Sequence, residues 1–189
     1  IGLALLNSLV VSGTITVGTV LLCTLAGYAF AKLRFRGRGP LFALAVGTMM
    51  IPPSLGVVPL YSLMVALGLG GSLGSVILPS LVAAFGVFFM RQYLVTALPD
   101  ELLDAAKVDG ATALRTVWSV VLPIARPGMA VLGMLTFMTA WNDFFWPVIA
   151  LDPTNPPVQV ALAALGGGYV PDTGVIMAGT ASPMAAIRS

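Results

Sequence analysis

The amino-acid sequence predicts an all-α, polytopic membrane protein. Hydrophobic residues make up 58% of the 189-residue chain, charged residues make up only 8%, and histidine is absent. The apolar residues form long runs separated by short charged patches, a pattern that a soluble domain would not expose on its surface. A membrane-spanning helix needs about 20 predominantly apolar residues, so these runs are long enough to cross a bilayer several times.

The apolar runs predict four complete spans and part of a fifth within a single transmembrane domain, 1–189. The four spans are expected at about 7–31, 40–66, 74–94 and 127–150, and the partial one at 174–187. The last run would form roughly 21 Å of helix, which is shorter than a hydrocarbon core of about 30 Å. The first residue is Ile1, with no methionine or basic segment before the first span. We therefore expect a fragment that is incomplete at both ends.

The positive charges predict the orientation of these spans. Eight Lys and Arg side chains follow the first span or lie between the third and fourth, whereas the linkers 66–75 and 151–173 contain none. By the positive-inside rule, the two basic loops are cytoplasmic and the first helix runs from outside to inside. The protein is accordingly expected to be a multi-pass membrane protein in contact with lipid.

The second predicted span contains the proline-rich segment "MMIPPSLGVVPLY". Pro52, Pro53 and Pro59 each remove a backbone donor, so each is expected to bend the helix. Such breaks are tolerated in a membrane only where neighbouring helices or a watery cavity satisfy the freed carbonyls. Two interpretations stay open, namely a wall of a translocation pathway at Pro52 and Pro53 or a structural kink within the bundle.

The charged residues concentrate in the predicted cytoplasmic loop 95–126, which includes "DAAKVDGATALRTVWSVVLPIARP". A short helix is predicted from Pro99 to Val108, with Gly110 ending it in a left-handed conformation. Thr112 is a candidate cap for a second helix, which Pro123 and Pro127 are expected to interrupt before the chain re-enters the membrane. The loop is thus predicted to form a helix, a turn and a helix.

The first of these two helices has a polar and an apolar face. At 100° per residue, Asp100, Asp104 and Lys107 share the polar face. The other face carries Leu98, Leu102, Ala105 and Ala106. An amphipathic hairpin on the membrane surface is the alternative, but acidic residues suit an anionic leaflet poorly. We therefore favour a surface that meets another protein in water.

Seven positions of this loop carry a family resemblance. They are Asp104, Ala105, Ala106, Gly110, Val120, Leu122 and Pro123. Their spacing is that of a known signature, which reads E-A-A, then three residues, then G, then nine residues, then I, any residue and L-P. In this spacing the chain resembles the permease subunits of binding-protein-dependent ABC importers. The segments "LPDELLDAAKVDGA", "VLPIARPG" and "TFMTAWNDFFWPVIAL" are similar to the carbohydrate branch, the maltose-type and glycerol-phosphate-type permeases. Asp104 and Val120 depart from the signature conservatively.

The resemblance implies a type I importer fold, a location in the inner or plasma membrane of a prokaryote, and a set of partners. The short cytoplasmic helix would be the coupling helix that docks on a separate ATP-hydrolysing subunit. The positions carried over are Asp104, Ala105, Ala106, Asp109, Gly110, Leu122 and Pro123. A second permease subunit, different in this branch, and an extracytoplasmic solute-binding protein are implied, and no nucleic acid is. The chain lacks a G-x-x-x-x-G-K-[ST] phosphate loop, so we expect no cofactor of its own and ATP to be bound by the partner.

The segment "AWNDFFWP" near the outer end of the fourth predicted span has two interpretations. Aromatic rings beside Asn142 and Asp143 are suited to binding a sugar, with Trp141 as a candidate platform. Alternatively, the segment belongs to the aromatic belt at the membrane interface, which we favour because such belts are common.

Other classes of membrane protein explain the sequence less well. An intramembrane enzyme would need a nucleophile with a base, or metal ligands, and no such set is present in a span, so neither catalytic nor metal-binding residues are expected. A membrane anchor would leave the loop pattern unexplained. An importer for amino acids or other small polar solutes stays the alternative to a sugar importer.

Overall fold

The computed structural model describes residues 2–152 and 156–166, and regular secondary structure in these ranges is helical. The predicted partial span 174–187 lies outside the described residues. Within the described residues the ten α-helices are α1 (Gly2–Lys32), α2 (Arg38–Gly47), α3 (Val57–Ala66), α4 (Gly74–Ser80), α5 (Ala84–Ala97), α6 (Asp100–Val108), α7 (Ala113–Thr116), α8 (Leu122–Asn142), α9 (Phe145–Ala150) and α10 (Val158–Gly166).

Three helical segments within the described residues are long and apolar enough to cross a membrane. They are Gly2–Lys32, Gly74–Ala97 and Ala113–Asn142. A fourth crossing is obtained if the bent pair Arg38–Met50 and Pro53–Ala66 forms one span. The 31 residues of α1 correspond to about 46 Å of helix, so α1 extends beyond a hydrocarbon core of about 30 Å.

The last of these segments, Ala113–Asn142, begins before residue 127, where the sequence predicted the fourth span to start. The expectation that Pro123 and Pro127 interrupt it was wrong, because both lie inside a helical segment that is continuous from Ala113 to Asn142. A π-helical turn, Val117–Val121, directly precedes α8. Such a turn widens the backbone where the Pro123 ring would otherwise meet the carbonyl four residues earlier, so the helix continues.

The helix that contains the proline-rich segment is broken at one place, although the sequence predicted a bend at each of three prolines. Helix α2 continues into a 3₁₀ turn, Thr48–Met50, and a second 3₁₀ turn starts at Pro53. Pro52 lies between the two turns, so the predicted break is present there. Pro59 does not bend the chain, because it lies in the first turn of α3, where its missing N–H is one that the helix leaves unpaired in any case.

The described chain divides into two compact units. The first contains residues 2–15, 56–79 and the described residues from 137 onward, and the second contains residues 16–55 and 80–136. The first unit buries an apolar cluster of Val11, Ile15, Met64, Val76, Trp146 and Ala150. The second buries a larger cluster that includes Cys23, Met90, Leu94, Leu98, Val121 and Ala125.

In the second unit, glycines allow α1 and α5 to approach closely. A Cβ atom added at Gly27 would lie 2.7 Å from the Cβ of Met90, and one at Gly86 would lie 2.8 Å from the Sγ of Cys23. The Thr19 hydroxyl donates a hydrogen bond of 3.0 Å to the carbonyl of Ser80, which satisfies a buried polar side chain in the same region. This packing fixes the end of α1 beside the start of the charged loop.

Candidate functional site

Helix α6 and the turn that follows it form the centre of the candidate site. Pro99 has an extended backbone and precedes the helix, and Asp100 and Glu101 occupy its first turn, where the helix dipole favours negative charge. The helix ends in a Schellman motif, in which Ala111 N–H bonds the Ala106 carbonyl at 2.9 Å and Gly110 N–H bonds the Lys107 carbonyl at 3.0 Å. The local sequence thus explains both ends of α6.

Gly110 has the left-handed backbone that the sequence predicted, with a φ of +71°. A Cβ atom added at this position would meet no atom within 4 Å. The glycine is therefore needed for its backbone conformation and not for lack of space within this chain.

The other predicted residues of α6 face outward. Asp104 forms an ion pair of 2.8 Å with Lys107 on the same helix, and their side chains are 71% and 73% exposed. Ala105 and Asp109 are exposed as well, and Ala106 is partly buried. The structure thus brings together, on one exposed helix and turn, five of the seven loop residues chosen from the sequence.

The remaining two, Leu122 and Pro123, lie at the start of α8. Leu122 is partly buried and Pro123 is exposed, so they belong to the returning helix and not to the turn.

The inward face of the loop differs from the predicted wheel. Leu98 and Leu103 are buried in the cluster of the second unit, whereas Leu102 is exposed. The wheel grouped Leu98 with α6, but this residue has an extended backbone at the end of α5 and lies outside the 3.6-residue repeat of α6.

Apolar residues beside the turn form an exposed surface that the predicted coupling positions do not include. Thr112 caps the second helix, since its Oγ1 accepts a hydrogen bond from the Arg115 N–H at 3.4 Å. Leu114 and Trp118 then point outward, and Val108 at the end of α6 is exposed too. The signal was available in the i, i+4 spacing, because Val117 and Val121 on the opposite face point inward.

The start of α6 is joined to the end of α1. The Lys32 ammonium lies 2.8 Å from a carboxylate oxygen of Asp100, and the Lys32 side chain is only 10% exposed. The hydrogen bond from Lys32, together with its charge, lowers the pKa of Asp100. Two guanidinium groups bind the last carbonyls of α1: Arg91 bonds Phe30 at 3.2 Å, and Arg38 bonds Ala31 at 3.0 Å. Cations thus collect at the negative end of α1, as the helix dipole favours.

The two pathway prolines are exposed at the break between the 3₁₀ turns. Exposed apolar side chains surround Pro52 and Pro53 in sequence, including Met50, Ile51 and Leu55. Local backbone bonds continue on both sides of the break, for example from Leu55 N–H to the Pro52 carbonyl at 3.1 Å. The break is thus a defined pair of turns, and its role in a pathway stays a prediction.

The aromatic segment is used mainly for local structure. The Asn142 side-chain amide donates to the Met138 carbonyl at 2.8 Å, and Asp143 accepts hydrogen bonds from the N–H groups of Phe145 and Trp146 at the start of α9. Trp146 is buried, and its indole N–H donates to the Ser75 carbonyl at 3.0 Å.

The remaining aromatic rings of this segment differ in exposure. Trp141 is partly buried and stacks on Phe137 at 5.6 Å. Phe144 and Phe145 are exposed. Buried Trp146 is thus unavailable as a sugar platform or as a residue of an interfacial belt, while these exposed rings leave both interpretations open for the remainder of the segment.

Comparison with known proteins identifies the family. Residues 20–182 match the family described as "Binding-protein-dependent transport system inner membrane component". The chain belongs to this family. The resemblance seen in the loop is therefore confirmed, and so are the helical permease fold and the assignment to the inner membrane.

Two of the similar proteins are named as permeases for an oligosaccharide and for a glycerol phosphate. The chain is 36% identical over 175 residues to the "Arabinooligosaccharides transport system permease protein AraQ" of Halalkalibacterium halodurans, covering 92% of this chain and 62% of that protein. It is 38% identical over 160 residues to the "sn-glycerol-3-phosphate transport system permease protein UgpE" of Yersinia pestis, covering 85% and 57%. The chain thus spans about 60% of the length of these relatives.

A solved structure supports the same fold. It is the crystal structure of a bacterial ABC transporter involved in the import of the acidic polysaccharide alginate. The match has a TM-score of 0.81 at 25% sequence identity and covers 93% of this chain and 62% of that one.

Proposed function

We propose that this chain is a membrane-spanning subunit of an ATP-driven importer and forms half of the translocation pathway for a sugar or sugar-like solute. It couples to a separate ATPase through the loop 99–123. The observation that carries the proposal is the exposed helix and turn of α6, whose outward residues match the family's coupling signature at Asp104, Ala105 and Gly110.

The exposed surface of the loop has the composition of a docking site. Small side chains at Ala105 and Gly110 allow a partner to approach the backbone, and Asp104 and Asp109 offer carboxylates for charge-assisted bonds. The apolar side chains of Leu114 and Trp118 lie exposed on the second helix. An aromatic anchor beside a small polar patch is typical of the residues that contribute most to protein interfaces.

The proposed solute class rests on the relatives and not on the aromatic segment. Asn142 and Asp143 form hydrogen bonds with the backbone, so their presence in the sequence no longer favours a sugar over another polar solute. The named substrates of the similar proteins are an arabino-oligosaccharide, sn-glycerol 3-phosphate and alginate, all carbohydrates or a close derivative. Carbohydrate import is therefore the stronger proposal.

The proposed assembly contains three further proteins. These are an ATP-binding subunit, a second permease subunit that differs from this one, and an extracytoplasmic solute-binding protein. ATP is bound and hydrolysed by the partner, and this chain contributes no catalytic residue.

Reconstitution of the full-length protein with its partners tests the proposal. We expect the ATPase to co-purify with it, and we expect proteoliposomes to accumulate labelled arabino-oligosaccharide or sn-glycerol 3-phosphate only when ATP and a loaded binding protein are present. Labelled amino acids serve as the comparison, and uptake of these alone would overturn the carbohydrate class. Failure of the ATPase to co-purify would contradict the coupling role.

A further inference from the structure

Helix α6 is joined to the rest of its unit by an ion pair that the family signature does not include. Lys32 is the last residue of α1, and Asp100 is the first residue of α6, 68 positions further along the chain. Their charged atoms lie 2.8 Å apart. The pair thus links a long membrane helix to the proposed coupling helix.

The two partners differ sharply in burial. The Lys32 side chain is 10% exposed, while that of Asp100 is 76% exposed. The methylene chain of Lys32 is thus packed within the unit, while its ammonium reaches the exposed carboxylate of Asp100. The pair therefore joins a lysine side chain that is positioned by packing to an exposed carboxylate of α6.

The helix dipoles favour the same contact. Lys32 lies at the negative end of α1, and Asp100 lies at the positive end of α6, so each charge also stabilises its own helix. The Phe30 and Ala31 carbonyls at that end of α1 already accept bonds from Arg91 and Arg38. Buried Leu98 and Leu103 pack in the same apolar cluster as Tyr28 and Ala31, which adds a second attachment beside the pair.

We propose that the Lys32–Asp100 pair fastens the coupling helix to the end of α1, so that both move as one body when the ATPase moves α6. Lys32 and Asp100 are positioning residues in this account, and neither contacts the solute. The inference rests on the proposed function, because the movement originates in the ATPase.

The chain offers a matched control for this pair. Lys107 and Asp104 form an ion pair with the same separation of 2.8 Å, but both side chains are exposed and both belong to α6. Exposed pairs on one helix contribute little to stability. Breaking the exposed pair with Lys107→Met should therefore leave the attachment of α6 to α1 unchanged.

The test measures the distance between α1 and α6 with spin labels on the full-length protein assembled with its ATPase. Labels are attached at Leu21→Cys and Glu101→Cys in a Cys23→Ala background, because Leu21 and Glu101 are exposed and flank the pair. Position 21 lies about 16 Å along α1 from Lys32. Distances are recorded without nucleotide and after trapping with ATP and vanadate.

We expect a single narrow distance distribution whose mean is the same in both states. With Lys32→Met the distribution broadens and its mean shifts by about 2 Å on trapping, the size of typical helix displacements. Asp100→Asn should broaden it in the same way, because it removes the other charge of the pair. The charge exchange of Lys32→Glu with Asp100→Lys should restore the narrow distribution in part, because the attraction between the two side chains returns while both charges now oppose the helix dipoles.

Any of three results would overturn the inference. The first is a mean distance in the wild type that changes on trapping, and the second is a narrow and constant distance in both Lys32→Met and Asp100→Asn. The third is a distance distribution that Lys107→Met broadens as much as Lys32→Met does. Co-purification of the wild-type ATPase is measured first. If the ATPase does not bind, the proposed function fails, while the nucleotide-free distributions still decide whether the pair holds α6 to α1.

Discussion

Substitution of Gly110 separates backbone strain from steric exclusion at the proposed coupling site. Its φ is +71°, and two backbone hydrogen bonds of the Schellman motif depend on that conformation. Apart from its two chain neighbours, no atom of the part of the chain that the structure describes lies within 4 Å of an added Cβ, so a substitution costs only the strain of the left-handed backbone. That strain is about 1–2 kcal/mol for an ordinary L-residue and is largest for a β-branched one.

The magnitude translates directly into an affinity. If the free loop relaxes and docking restores the strained turn, Gly110→Val weakens ATPase binding by at least about 5-fold and by about 30-fold for a strain of about 2 kcal/mol, since about 1.4 kcal/mol corresponds to a factor of ten. Asparagine has a similar volume to valine but tolerates the left-handed region. Gly110→Asn should therefore bind the ATPase nearly as well as wild type if strain dominates, and as poorly as Gly110→Val if bulk blocks the partner.

The assay is titration of the purified ATPase onto full-length permease in nanodiscs, together with ATP hydrolysis by the assembled complex. Membrane insertion is measured alongside and should be equal in all variants, because Gly110 lies outside the three candidate spans. Wild-type affinity and hydrolysis in Gly110→Val would refute the coupling assignment of this turn. Equal losses in the valine and asparagine variants would refute the strain argument while leaving the docking surface in place.

Three further predictions concern the packing that supports the site. Gly27→Ala should lower the melting temperature more than Gly13→Ala. The Cβ of alanine at position 27 would lie 2.7 Å from the nearest atom of α5, whereas the Cβ at position 13 would meet no described atom within 4 Å. Overpacking of this kind costs about 1–3 kcal/mol of stability. Trp146→Phe should destabilise the protein by about 1 kcal/mol in a denaturant titration, since it removes a buried hydrogen bond to a carbonyl of α4. Lys32 lowers the pKa of Asp100. The ion pair is therefore fully formed above the ordinary carboxyl pKa and is lost as the pH falls through the lowered pKa. The distribution of distances between the labels on α1 and α6 should stay narrow from neutral pH down to about 4 and broaden only below about pH 4.

Local sequence signals were sufficient to predict the shape of the charged loop. Gly110 after the first helix and Thr112 at the start of the next act on their immediate neighbours, and the structure confirms both roles. Pro99 was predicted in the first turn and instead precedes the helix by one residue. Such signals need no knowledge of the remainder of the fold, because caps and left-handed turns depend on backbone groups within a few residues.

The errors have a common physical cause, which is that helix continuity and burial depend on the surroundings. A proline normally disrupts a helix, but the π-helical turn before Pro123 lets the helix continue. We found no sequence pattern that predicts this turn. Leu103 is buried and Leu102 exposed because α6 is oriented by its unit, which a wheel of the isolated helix cannot show. The bond between Lys32 and Asp100 spans 68 positions and depends on the fold that brings both helix ends together.

The aromatic segment shows why composition alone is a weak guide to a binding site. From the sequence, Asn142 and Asp143 were candidate hydrogen-bonding groups for a solute. In the structure both serve the break between α8 and α9. Asn142 donates to a carbonyl of the last turn of α8, and Asp143 accepts from the first N–H groups of α9. Because a break inside an apolar environment leaves backbone groups unpaired, polar side chains there serve the backbone first. A contribution of this segment to transport would therefore act through the position of the break and the exposed rings of Phe144 and Phe145, and substitutions at Asn142 or Asp143 would change the helix ends before they changed any contact with a solute.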